Sequence, residues 1–217
     1  MLHKPFFSKL AVAIAAVALS GCTLFQPTVE SASLHPEQTS ASQTGPDQTP
    51  TPTADLSSVF AELPDQFIFS SGAGGWQTTL VISKDGSFSG RYMDSDMGDI
   101  GPQYPNGTEY DCVFSGQFQV IAQVSQFEYT LTLVTLTQEG TPDDVSYSDG
   151  IRHIIATPYG FDDAQNFSLY RPGRPLADLP EAFIGWLTGP EVLSTDATTL
   201  PFWGLYNIGG EEGFYSS

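Results

Sequence analysis

The most constraining feature of this chain is a period-two alternation around a single turn. Trp76, Thr78, Leu80 and Ile82 fall on one side of an extended segment, with Gln77, Thr79, Val81 and Ser83 on the other. Lys84-Asp85-Gly86 then supplies a reversal, and Phe88, Gly90 and Tyr92 resume the inward set. Alternation across an Asp-Gly turn is the pattern of a β-hairpin with one buried face. Further strands are predicted at Tyr110–Phe114, Gln117–Ala122, Glu128–Thr137, Ile151–Thr157 and Asn166–Tyr170. In Glu128–Thr137 both faces are apolar, with Tyr129, Leu131 and Leu133 opposite Val134 and Leu136, as for a strand covered on both sides. One short helix is predicted near Leu179–Leu187, where Pro180 stands at a helix start and Gly189-Pro190 ends it.

Sequential strands joined by short turns favour an antiparallel meander, and closing it removes the exposed edges. The expected fold is therefore all-β: a small lipocalin-like barrel or a sandwich. Its interior would be lined mainly by Trp76, Leu80, Phe88, Tyr92, Phe118 and Tyr129.

The pattern occupies only part of the 217 residues, and the organisation along the chain is read as three pieces. Residues 1–21 form a signal peptide, with Lys4 and Lys9 and no acid before or between them, then the apolar run Leu10–Leu19. That run is too short for a spanning helix, which needs about 20 apolar residues. Residues 22–58 hold a cysteine followed by a Pro/Ser/Thr/Gln-rich tether without apolar periodicity. Such a composition cannot bury enough surface to offset chain entropy and is expected to be disordered, with a reach of about 30 Å. Residues 59–217 form one β-rich globular domain, long enough for a core and holding most of the aromatic residues.

The leader ends in Leu19-Ser20-Gly21-Cys22, which resembles the lipobox of bacterial lipoproteins. The resemblance implies cleavage between Gly21 and Cys22, a diacylglyceryl group on the Cys22 thiol and acylation of the new amine. Each buried methylene contributes about 0.8 kcal/mol, so two or three acyl chains anchor stably where one does not. The domain itself carries the strings WxTxLxIxxDGxFxGxY from Trp76, DSDMGD from Asp94 and YPNGTxYxCxFxGxF from Tyr104. Together these look like a family of secreted lipoproteins of clostridia-type Gram-positive bacteria. That likeness implies a lipid-anchored protein on the extracytoplasmic side of the cell membrane and a single globular unit. It transfers no catalytic residue.

Charge narrows the partners. Seven basic residues stand against 25 acidic ones, a net charge of −18, and two of the seven lie in the leader. Such a field repels phosphates, so nucleic acid is excluded as a partner; the membrane is met through the lipid anchor.

The most site-like segment is Asp94-Ser95-Asp96-Met97-Gly98-Asp99. Three carboxylates, Asp94, Asp96 and Asp99, could clamp Ca²⁺ through hard oxygen ligands. The loop departs from an EF-hand, with Gly98 and Asp99 in reverse order and Pro105 at the twelfth position, so a solvated turn is the default and no metal is assigned. No cofactor is expected. Zinc lacks ligands, because His153 is the domain's single histidine and Cys112 its single cysteine. Cys112 lies on an alternating run and reads as a buried, inert thiol. His153 shares its side of the strand with Ile151 and Ile155 and is expected to be a core or cavity histidine. No Gly-x-Ser-x-Gly elbow precedes a helix, no catalytic residue is assigned, and 25 acids make a glycosidase pair trivially available. The expected function is a non-enzymatic binding or interaction module of unspecified ligand. The alternative is a cell-envelope hydrolase acting on glycan or peptide.

Overall fold

The computed structural model describes residues 56–72, 74–188, 192–194 and 196–216. The signal peptide, Gly21, Cys22 and the tether up to residue 55 lie outside the described residues. Ten strands follow in chain order: β1 (Phe67–Ser70), β2 (Trp76–Ile82), β3 (Ser87–Asp96), β4 (Thr108–Ser125), β5 (Glu128–Gln138), β6 (Val145–Ser148), β7 (Ile151–Ile155), β8 (Asn166–Tyr170), β9 (Gly204–Asn207) and β10 (Glu212–Ser216). Among the described residues one α-helix, α1 (Glu181–Thr188), precedes β9. It starts after Pro180, as expected, but a separate 3₁₀ turn at Leu176–Asp178 precedes it.

Eight strands, β1–β5 and β8–β10, close into an antiparallel barrel through the β1–β10 and β3–β4 pairings. The two strands expected at Tyr110–Phe114 and Gln117–Ala122 are one long strand, β4. Its upper part pairs with β3 and its lower part with β5. β5 reaches only as far as Phe114, so the edge at Thr108–Asp111 is left free above it. There β7 adds in parallel, the one departure from the expected antiparallel meander, and β6 hairpins onto β7. Covering an open edge with a short strand is a common protection against association.

The double apolar pattern of β5 has a different cause from the one expected. Phe118 pairs with Leu133 and Gln117 with Thr135, so Val134 is an extra, bulged residue. A bulge shifts the alternation by one. Leu136 thereby joins Leu133 against the core, while Val134 points outward, exposed. The strand is covered on one face only.

The interior is a stack of rings. A repeated Phe-Ser-Gly places Phe88 opposite Gly116 and Gly90 opposite Phe114 across the antiparallel β3–β4 pair. A Cβ on Gly90 would stand 2.6 Å from Cε2 of Phe114, and one on Gly116 2.9 Å from Cε1 of Phe88. Each glycine is therefore the seat of its partner's ring. Of the expected lining residues, Leu80, Phe88, Tyr92, Phe118 and Tyr129 are buried and Trp76 is half-buried. Outside the barrel, Phe183 of α1 lies over Gly204 and Gly213, which keep the face of β9 and β10 flat enough for the helix.

Both barrel ends are stoppered by chain. At the end bearing the Lys84-Asp85-Gly86 turn, a 3₁₀ turn at Leu56–Glu62 buries Val59 and Phe60. A Cβ on Gly86, whose φ is +82°, would meet the Phe60 ring at 2.6 Å. Leu56–Ser58, assigned by sequence to the end of the tether, already belong to this turn. Arg171 ties it down through Glu62 at 2.7 Å. At the opposite end the loop from Ala156 to Gln165 crosses the mouth. Its Phe161 enters the core, with ring centroids 5.1 Å from Phe114, 5.4 Å from Phe88 and 5.5 Å from Phe167. Tyr159 packs on Trp76 and Phe69 at 4.8 and 5.1 Å, and its carbonyl accepts from the Thr78 hydroxyl at 2.7 Å.

Candidate functional site

Rings fill the interior, and two recesses open to a ligand stand on the outside of the described residues. The larger, about 650 Å³, opens at the rim where β1–β4 end. Trp76, Tyr110, Arg91, Asp94, Glu109 and Asp111 contribute to its walls, beside the glycine-rich turn between β1 and β2. Gly74 and Gly75 there have open space where a side chain would stand, so the turn leaves the cleft accessible. Arg91 Nε donates to Asp111 at 2.6 Å, which consumes the wall's one cation and leaves Asp94 and Glu109 as excess negative charge. Both partners of that pair are about half exposed, so it contributes little to stability.

The acidic loop next to this cleft does not gather its carboxylates. Asp94 accepts from the Tyr92 hydroxyl at 3.2 Å and from the Ser95 amide at 2.7 Å. Asp96 folds back on its own turn, accepting from the amides of Gly98 at 2.8 Å and Asp99 at 3.1 Å. Asp99 pairs with Arg152 of β7. Among the described residues no group of three His, Cys, Asp or Glu side chains is placed to hold a metal ion. Arg152 is the organiser here: its Nε donates to the Thr108 hydroxyl at 3.1 Å and its Nη1 to the Tyr104 hydroxyl at 3.0 Å. Buried Tyr92 has its hydroxyl pKa pushed well up by desolvation, reinforced by the neighbouring Asp94 carboxylate.

A buried polar cluster anchors the mouth loop. Asn207 Nδ2 donates to the Asp162 carbonyl at 2.8 Å and to Glu212 Oε2 at 3.0 Å. The same Oε2 accepts from the Asp162 amide at 3.1 Å. Glu212 is only 4% exposed, and burial, then the charge of Asp162, raises its pKa to about 7 against the donated hydrogen bonds.

A second outer recess, about 500 Å³, lies between β8, β9 and the Leu176–Asp178 turn. Its polar wall is the ion pair of Arg174 and Glu128 at 3.0 Å, largely shielded from solvent.

Cys112 is buried as expected, and desolvation lifts its thiol pKa to about 11, so it is a poor nucleophile. His153 is not in the core. It stands about one-third exposed on the outer face of β7, because β7 belongs to the added β6–β7 hairpin and is not a wall of the barrel. Its Nε2 is 2.8 Å from Ser148 Oγ, and its Nδ1 is 3.4 Å from Glu109 Oε2. Neither Ser148 nor Glu109 stands out in the sequence. The Asp149-Gly150 dipeptide, a hairpin signal, would have revealed the β6–β7 turn and placed Ser148 beside His153.

No protein family, no curated protein and no solved structure matches this chain.

Proposed function

We propose that this chain is an extracytoplasmic lipoprotein, held at the cell membrane by acyl groups on Cys22. On this reading its barrel is a binding or interaction module that recognises its partner with the outer surface. The observation that carries the second half is the filled barrel, closed at one end by Phe60 and at the other by Phe161. A lipocalin-like role needs an apolar cavity, and here the cavity's volume belongs to the protein's own rings. Recognition then falls to the rim cleft, whose size suits a small ligand or a peptide segment. Aromatic walls beside unbalanced carboxylates suit a cationic group, which gains from both the ring faces and the negative field. The site therefore fits a basic peptide or an amine-bearing envelope component.

Titration of intrinsic tryptophan fluorescence with a lysine-rich peptide tests this. The expected result is a saturable change, weakened by salt and by Asp94→Asn, with none for an acidic peptide of equal length. An equal response to both peptides, or none to either, would remove the cleft from the account.

A further inference from the structure

We propose that Ser148, His153 and Glu109 form a surface acyl-transfer site for carboxylic esters. In it Ser148 is the nucleophile, His153 its general base, and Glu109 the positioning residue. This activity goes beyond the binding role and does not depend on it or on the lipid anchor.

The site follows from strand register. β6 turns Ser146 and Ser148 to one face, β7 turns Ile151, His153 and Ile155 to the same face, and β4 contributes Glu109. Ser146 lies opposite His153, Ser148 opposite Ile151, and Glu109 beside His153 on the other side. The imidazole is thus bracketed by a hydroxyl and a carboxylate, each on a different strand. The ring nitrogens face the partners that base catalysis needs. Glu109 Oε2 stands 3.4 Å from Nδ1, a carboxylate placed to favour the tautomer with hydrogen on Nδ1; in that tautomer Nε2 carries the lone pair and accepts from the Ser148 hydroxyl at 2.8 Å.

The scaffold is fixed and the nucleophile is open to solvent. Ser148 is exposed and ends β6 at a tight turn in which Asp149 and Gly150 are both left-handed, with φ of +52° and +75°. That turn is pinned to the barrel. The Asn106 backbone amide donates to the Gly150 carbonyl, and its side-chain amide donates to the Asp149 carbonyl, both at 2.9 Å. Arg152, between them and the acidic loop, holds β7 to Thr108 and Tyr104.

The reaction balances with water as the only co-reactant. Ser148 Oγ attacks the ester carbonyl carbon as its proton passes to His153 Nε2, and the carbonyl π pair moves to oxygen. Collapse expels the alcohol, which takes the proton from Nε2 and leaves an ester on Oγ. Water, deprotonated by the same nitrogen, then releases the carboxylic acid and restores the serine. Solvent reaches the developing oxyanion, so the acceleration is that of a positioned base, about 10²–10⁴-fold.

The test is acetylation of the full chain by p-nitrophenyl acetate, followed by nitrophenolate release and by peptide mapping. The expected acetyl group is on Ser148, is lost in Ser148→Ala and is retained in Ser146→Ala. His153→Gln should slow acetylation by about 10²–10⁴-fold without changing the melting temperature. Glu109→Gln should slow it several-fold and alter the tautomer balance in the imidazole ¹⁵N signals of His153, which a merely structural carboxylate would not do. Label confined to Lys84, the one lysine outside the leader, would overturn the assignment. So would wild-type acetylation in His153→Gln.

Discussion

Glu212 makes the stability of this barrel depend on pH in a direction opposite to that of a salt-bridged acid. Its pKa is about 7 when folded, against 4.5 as the ordinary value. Between those limits the folded chain binds a proton that the unfolded chain has released, so stability falls as pH rises. The contribution is complete below about 4.5 and lost as pH passes through about 7. Each unit of difference corresponds to about 1.4 kcal/mol, giving about 3 kcal/mol over the window, an upper bound because the site relaxes. For a domain of this size that is a melting difference of roughly 6–12 °C. Other charges on this acidic chain also act on stability, so the informative quantity is the difference from Glu212→Gln. The amide keeps an acceptor for Asn207 and for the Asp162 amide and cannot ionise. Thermal melts of both proteins from pH 5 to 8 should therefore diverge, with the variant gaining on the wild type up to about pH 7 and running parallel above. Parallel melting curves across the whole range would show that Glu212 is solvated or differently paired, and the description of the mouth cluster would fail.

Gly90→Ala should destabilise the domain by about 1–3 kcal/mol, because the added methyl meets the Phe114 ring inside a packed core; a denaturant midpoint unchanged from the wild type would contradict the ring-on-glycine packing. Cys22→Ser should abolish metabolic labelling with a fatty acid and leave either uncleaved precursor or soluble protein. Label retained at the wild-type level would sink the anchored-lipoprotein reading.

The parts of the fold legible in the sequence are those where one face is buried and the other wet. The Trp76–Tyr92 hairpin and the buried Cys112 follow directly from period-two alternation. The strands not foreseen break that rule for physical reasons. β9 and β10 are buried on both faces and contain Gly204 and Gly213, so helix packing has replaced the alternation with small residues. β6 is exposed along its whole length, and its two apolar residues, Val145 and Tyr147, are too few to reveal a period. β1 is nearly all apolar, and four residues are too few to reveal a period. His153 departs from the expected core position for a related reason. Two isoleucines at i−2 and i+2 suggest a core face, but on a hairpin added outside the barrel that face looks outward. Of the proposed acyl-transfer group, only the histidine could be seen in advance, because register between three strands assembles the rest.

Recognition by the outer surface requires a full barrel, and xenon tests that directly. Pressurised xenon enters dry apolar cavities and is seen in diffraction. Crystals of the domain should show no xenon within the barrel. Crystals of Phe161→Ala, which removes the ring between Phe88, Phe114 and Phe167 at a cost of about 3–5 kcal/mol, should show one there. Xenon bound among those phenylalanines in the wild type would mean an internal ligand cavity and would contradict a binding role confined to the outer surface.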